Sequence, residues 1–233
     1  MSPRPDELSF MGHLDELRWR LIKSVIAVFI AACLFYPFVD RVLAFLIRPV
    51  GHVIFTSVAD AFVARLMLTI WAGVILALPV IIYQVWQFVC AGLKDNERKY
   101  IRFFAPFSFI LFVAGGMFGY LAMIPIGMKF LLSFATEFIV PMITIQNYIS
   151  FVTTLILAFG VAFQLPLVLM FLAKIGIVTP AFLVQKRKHA IVLILIVSAL
   201  ITPPDAVSQI IMALPLVVLY EIGIIISKWI YRS

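Results

Sequence analysis

Two carboxylates stand where a hydrophobic chain has least reason to place them. Glu16 lies in His13-Leu14-Asp15-Glu16-Leu17-Arg18-Trp19-Arg20-Leu21, at the mouth of an apolar span. Glu97 lies in Lys94-Asp95-Asn96-Glu97-Arg98-Lys99, between two more spans. On a helix Glu16 faces Arg20 at i,i+4, and such surface pairs contribute only ~0.2–0.5 kcal/mol each. Glu97 is less easily absorbed this way. Asp95, not Glu97, has the favourable spacing to Lys99, and the residue four on from Glu97 is Ile101. A carboxylate at a membrane interface is less hydrated than in bulk. It suits a guanidinium, whose planar fork donates two parallel hydrogen bonds, better than an ammonium. The two acids therefore read either as local ion pairs or as a receptor for a ligand carrying two arginines.

The elements that must position them are membrane spans. The chain is 64% hydrophobic and only 12% charged, against roughly 25% charge in soluble domains. Uncharged stretches long enough for ~30 Å of hydrocarbon recur throughout. This predicts an all-α polytopic membrane protein, a single membrane domain over residues 1–233 with six helices at about 21–39, 66–89, 103–127, 148–173, 190–201 and 208–227. The last two are charge-free for only roughly 22 Å each, and Thr202-Pro203-Pro204-Asp205 breaks the helix between them. They are expected to form a short hairpin. Residues 1–20 hold no apolar core or small-residue cleavage site, so no cleaved leader is expected.

Lys and Arg set the orientation. One side carries Arg4, Arg18, Arg20 and Lys23; Lys94, Arg98, Lys99 and Arg102; Lys174, Lys186, Arg187 and Lys188; and Lys228 with Arg232. The other carries Arg41, Arg48, Arg65 and Lys129. Both termini are then cytoplasmic, and Glu16 and Glu97 face the same compartment. The external loops, about 40–65 and 128–147, are apolar and aromatic enough to fold down as a cap. The net charge of +7 follows from this loop bias and does not call for nucleic acid.

Few polar residues lie within the spans. Gln164 sits two residues before Pro166, where a freed carbonyl can satisfy its amide. Glu221 sits toward the cytoplasmic end of the last helix, where it can snorkel toward Lys228 or the headgroups. Thr202 and Gln209 flank the hairpin turn, either as caps or as hydrogen-bonding sites for another helix in lipid. Gly115 and Gly119 have the small-xxx-small spacing of close helix packing. Pro79, Pro166 and Pro215 are expected to kink their spans. Two cysteines and three scattered histidines form no metal set. No hydrolase elbow, zinc-protease motif or phosphate loop is present, so neither an enzyme nor a cofactor is expected. A small-molecule transporter using Gln164 and Glu221 is the alternative to a receptor, though no internal repeat of the kind many transporters carry is visible.

Read in order, several segments resemble the TatC family of the twin-arginine protein translocase, from His13 to about Trp229. They are His13 to Leu21; Pro79-Val80-Ile81-Ile82-Tyr83-Gln84-Val85-Trp86-Gln87-Phe88; Glu97-Arg98-Lys99; Tyr148-Ile149-Ser150-Phe151; Ala158 to Pro166; Thr202-Pro203-Pro204-Asp205 with Gln209; and Ala213-Leu214-Pro215 with Tyr220-Glu221-Ile222-Gly223. The resemblance implies six helices in a concave, glove-like bundle in the cytoplasmic membrane, driven by the protonmotive force. It implies recognition of Arg-Arg signal peptides by Glu16 and Glu97, oriented by Arg18 and Arg20. It places docking of TatB-like and TatA-like single-span partners on Thr202 and Gln209, and self-association in a complex. Pro49, Pro203, Pro204 and Asp205 match structural positions. The chain departs from the pattern at Gln164, where many members carry Glu, and at Val58 to Phe62, where many carry proline.

Overall fold

The computed structural model describes residues 10–93, 101–136, 141–202 and 205–232. Apart from isolated bridge pairings, the regular structure among them is helical. Five helical stretches are long and apolar enough to cross a membrane: Met11–Ile47, Asp60–Ala91, Phe104–Leu132, Ile145–Lys174 and Ala206–Tyr231. Many of their large apolar side chains point outward, with Phe29 69% and Leu214 64% exposed. In water such a surface would aggregate; in hydrocarbon it is the solvated face.

The helices are longer than their charge-free cores. α1 (Phe10–Phe35) runs through a tight turn at Tyr36–Phe38 into α2 (Val39–Ile47). The segment bearing Glu16 is therefore helix and not a preceding loop. α3 (Asp60–Ala91) contains Pro79 without interruption. α4 (Ile101–Phe118) widens at Gly119–Met123 before α5 (Ile124–Leu132). The fourth span is broken into α6 (Ile145–Ala162) and α7 (Leu165–Lys174), because Pro166 cannot donate to the helical ladder. α8 (Pro180–Gln185) and α9 (Arg187–Ile201) follow, then α10 (Ala206–Arg232).

The hairpin corrects the sequence reading. α9, at 15 residues, is short as expected. α10 is not: it continues for 27 residues, roughly 40 Å at the α-helical rise. A charge-free count stops at Tyr220, but Glu221 is ion-paired and does not end the helix. Pro203 and Pro204 lie outside the described residues.

The chain's contacts divide into two units, Met1–Leu43 with Arg65–Phe109, and Ala44–Ala64 with Ile110–Ser233. In the first, α1 and α3 lie antiparallel and close. A Cβ added at Gly73 would fall 2.7 Å from Ala32 Cβ and 2.9 Å from Val28 O. Further along the pair, Arg20 bonds Gln84, and His13 stacks on Phe88 with ring centroids 4.4 Å apart. An exposed ion pair joins Arg65 to Asp40 at 3.0 Å.

In the second unit α10 packs on α7, α8 and α9. Gly115 and Gly119 let the α4 segment approach α6 closely: a Cβ at Gly115 would fall 2.8 Å from Phe163 Cβ, and one at Gly119 3.1 Å from Leu155 O. The small-residue spacing thus serves packing within the chain. The two long loops are tied to each other. Ile54 N–H donates to Ile143 O at 3.0 Å and Ile145 N–H to Ile54 O at 2.8 Å. Tyr148 Oη, buried, donates to Leu46 O at 2.6 Å. Asp60, at the start of α3, accepts from Thr56 N–H, Thr56 Oγ1 and Ser57 N–H, each at 2.9 Å. Gly51 and Gly176, both near φ +76° to +79°, follow α2 and α7 where only glycine turns freely.

The α1–α3 approach is tested at Gly73. Because the nearest atoms include backbone, Gly73→Ala should lower the thermal midpoint of the detergent-purified protein by the equivalent of ~1–3 kcal/mol. Adding Ala32→Gly should recover part of it. An unchanged midpoint in the single mutant would contradict the close crossing.

Candidate functional site

Glu16 sits on the second turn of α1, facing α3. Arg20, one turn on, donates from Nε to Glu16 Oε1 at 2.9 Å, and its Nη2 donates to the same oxygen. From its other edge, Nη1 donates to Gln84 Oε1 on α3 at 3.3 Å. Both side chains are about three-quarters buried: Arg20 is 21% exposed and Glu16 24%. The pair expected from i,i+4 spacing is present. Its third member, Gln84, lies 64 positions away and has no local signal. Arg18 is exposed on the same helix.

The neighbouring geometry is set by aromatic packing. His13 on Phe88 ties the first turn of α1 to the end of α3. Buried Trp86 donates Nε1–H to Ser108 Oγ at 2.9 Å and stacks on Phe104 at 5.5 Å. These contacts fix α3 against α4, the two helices flanking residues 94–100. Glu97 itself lies outside the described residues.

The hairpin carries the second group of candidates. Thr202 is buried, and its Oγ1 donates to Ser198 O at 2.9 Å, one turn back in α9. Gln209 reaches across from α10, donating Nε2–H to Leu195 O at 2.9 Å. Asp205 caps α10: its Oδ1 accepts from Ser208 N–H at 2.7 Å, the expected use of an acid at a helix N-terminus. Thr202 and Ser208 line a small cavity with Met123, Gly127, Phe151 and Met212. Pro49 lies in the exposed turn closing α2, where Val50 N–H donates to Ile47 O at 2.9 Å.

Gln164 occupies the break between α6 and α7, half-buried, with its backbone N–H on Val161 O at 3.0 Å. Glu221 does not reach toward Lys228, as the sequence suggested. It pairs with Arg187 at 2.7 Å, the two side chains 38% and 43% exposed. Beside it, buried Tyr220 donates its hydroxyl to Leu183 O at 2.9 Å, so Tyr220 and Glu221 clamp the α8–α9 junction to α10. Glu221 is thus engaged as a tether, which removes the main support for a transporter site built on it. The cluster Lys186-Arg187-Lys188 signals a cytoplasmic loop in sequence; its use as a clamp is set by tertiary packing. No cluster of His, Cys, Asp and Glu able to hold a metal occurs among the described residues.

The family model for the Sec-independent protein translocase protein (TatC) matches residues 12–215. The chain is 42% identical over 228 residues to the Sec-independent protein translocase protein TatC of Carboxydothermus hydrogenoformans, covering 96% of this chain and 94% of that one. It is 36% identical over 228 residues to TatCd of Bacillus subtilis, covering 97% and 94%. Among solved structures, a crystal structure of the twin-arginine translocase receptor TatC superposes with a TM-score of 0.87 at 36% identity. It covers 94% of this chain and 100% of that chain.

The hydrogen bond of Gln209 separates structure from docking. A polar contact between helices in lipid averages ~0.6 kcal/mol. Gln209→Leu should therefore shift the thermal midpoint by no more than about 4 °C for a chain of this size. A larger fall would make Gln209 a structural strut first.

Proposed function

The chain belongs to the TatC family, a membrane component of the Sec-independent protein translocase and not an enzyme, and on that premise we propose that it is the translocase's receptor for Arg-Arg signal peptides. Glu16 and Glu97 each engage one guanidinium of the peptide, with Arg18 and Arg20 orienting the acids. The observation that carries this reading is the state of Glu16: its carboxylate, three-quarters buried, already holds a guanidinium from its own chain. A site that binds one guanidinium in this way has the chemistry to bind another.

The remaining assignments complete the reading. Both termini are cytoplasmic, in keeping with the Lys and Arg bias, and the membrane is the inner one. The short α9 with α10 supplies the last two of six helices in a concave, glove-like bundle forming one membrane domain. Thr202 and Gln209 receive TatB-like and TatA-like single-span partners, and Pro49, Pro203, Pro204 and Asp205 are structural positions of the family pattern. Gln164 and Glu221 are polar residues of the bundle, and the chain associates with further copies in the assembled complex. Folded cargo then crosses under the protonmotive force.

Loss of a charge-assisted bond of ~1.5–3 kcal/mol weakens a peptide by roughly tenfold to over a hundredfold. Glu16→Ala and Glu97→Ala should each abolish export of a twin-arginine reporter in cells whose chromosomal copy is removed, while membrane levels of the protein stay normal. Undiminished export in both mutants would remove the receptor role from these acids.

A further inference from the structure

Arg20 is held from two helices. Nε and Nη2 donate to Oε1 of Glu16 on α1, and Nη1 donates to Oε1 of Gln84 on α3. An arginine tied only to its own helix exchanges among rotamers; one anchored at both edges of its planar fork has a fixed orientation. Both bonds to Glu16 fall on a single oxygen, and Oε2 accepts from no described residue. We infer that Gln84 is a positioning residue of the signal-peptide site: it anchors Arg20, and Arg20 in turn fixes Glu16 with one oxygen occupied and the other presented to the incoming arginine. This rests on the receptor reading of Glu16 given above.

The consequence is specificity. A cation approaching Oε2 meets an acid that already has a fixed positive neighbour. A guanidinium spreads its charge over a plane, is weakly hydrated, and can lie flat beside a second guanidinium while donating from its edge. An ammonium concentrates its charge, holds its water tightly and faces Arg20 undivided. A fixed Arg20 therefore penalises lysine more than arginine. Without Gln84, Arg20 is free to swing aside, Glu16 offers both oxygens, and lysine is readmitted. Gln84 sets the arginine-to-lysine ratio, and overall affinity is affected less. Neither the i,i+4 pair nor the apolar packing of α1 on α3 produces that effect alone.

The test measures binding of two synthetic signal peptides, Arg-Arg and Lys-Lys, to the full-length detergent-purified protein. The proteins compared are wild type, Gln84→Leu, Gln84→Glu and Glu16→Gln, each with its thermal midpoint recorded. Wild type should prefer Arg-Arg. Gln84→Leu should lower the Arg-to-Lys ratio roughly threefold to tenfold, the worth of one ordinary net hydrogen bond. Gln84→Glu, which keeps an acceptor for Nη1, should restore it. Gln84→Met, equally long but without the acceptor, serves in place of Gln84→Leu should that variant fail to insert. An unchanged ratio in the Leu and Met variants, or equal loss of both peptides that Gln84→Glu does not restore, would overturn the inference and leave the receptor reading standing. A wild type with no preference, or a Glu16→Gln variant keeping the wild-type ratio, would remove the receptor reading and this inference together.

Discussion

Hydrocarbon offers no hydrogen bonds, and every feature of this fold is subordinate to that fact. A backbone group left unpaired in lipid costs several kcal/mol, so the chain is helical wherever it must cross. Its departures from helix are those in which the ladder can be closed another way. At the α6–α7 break, Pro166 brings no donor, and the neighbouring groups shift partners. Phe163 N–H stays on Phe159 O, Gln164 N–H shortens to Val161 O, and Val168 N–H returns to Gln164 O. A half-buried glutamine sits in that break because a polar side chain is tolerated where the backbone is already irregular.

The same constraint governs charge. An unpaired ion is expensive near the bilayer, and several of the charges are joined to one another. Three described pairs, Arg20 with Glu16, Arg65 with Asp40 and Arg187 with Glu221, all use arginine. The guanidinium keeps its charge under any burial and can satisfy two acceptors at once. Only the first is deeply shielded. The Arg65–Asp40 pair, more than half exposed at both ends, contributes little. The Arg187–Glu221 pair is intermediate, and its neighbour Tyr220 makes it part of a clamp instead of an isolated contact.

Much of this was legible in the sequence, for a stated reason. Hydrophobic length and Lys/Arg bias are local quantities, so the helical class and the positions of the spans follow from counting. The i,i+4 relation of Glu16 and Arg20 is equally local. What counting missed depends on contacts between distant segments. α10 outruns its charge-free core, and Glu221, which interrupts that core, finds its partner in Arg187, 34 positions earlier. Gln84 joins the Glu16 site across 64 positions, and Tyr148 reaches Leu46 across 102. Residue type showed that such groups are polar in an apolar setting; it could not show which partner each would find. Asp60 gives no such signal in the sequence, because the groups that donate to it, Thr56 and Ser57, lie in a loop without periodic pattern.

The energetics of the Glu16 site argue for orientation over stability. An i,i+4 pair on a helix is worth ~0.2–0.5 kcal/mol, and burying it adds a desolvation penalty that attraction only partly offsets. Drawing Arg20 and Glu16 three-quarters out of solvent is therefore a poor way to hold α1 on α3. The Gly73–Ala32 crossing and the His13–Phe88 stack already do that through packing. What the buried pair adds is a carboxylate whose direction is set before a ligand arrives. Such preorganisation lowers the entropy lost on binding, and it depends on a surrounding shell that is itself locked. Arg20 supplies that shell on one helix and Gln84 on the other, so Glu16, the acid proposed above to meet the signal peptide, is held from both helices.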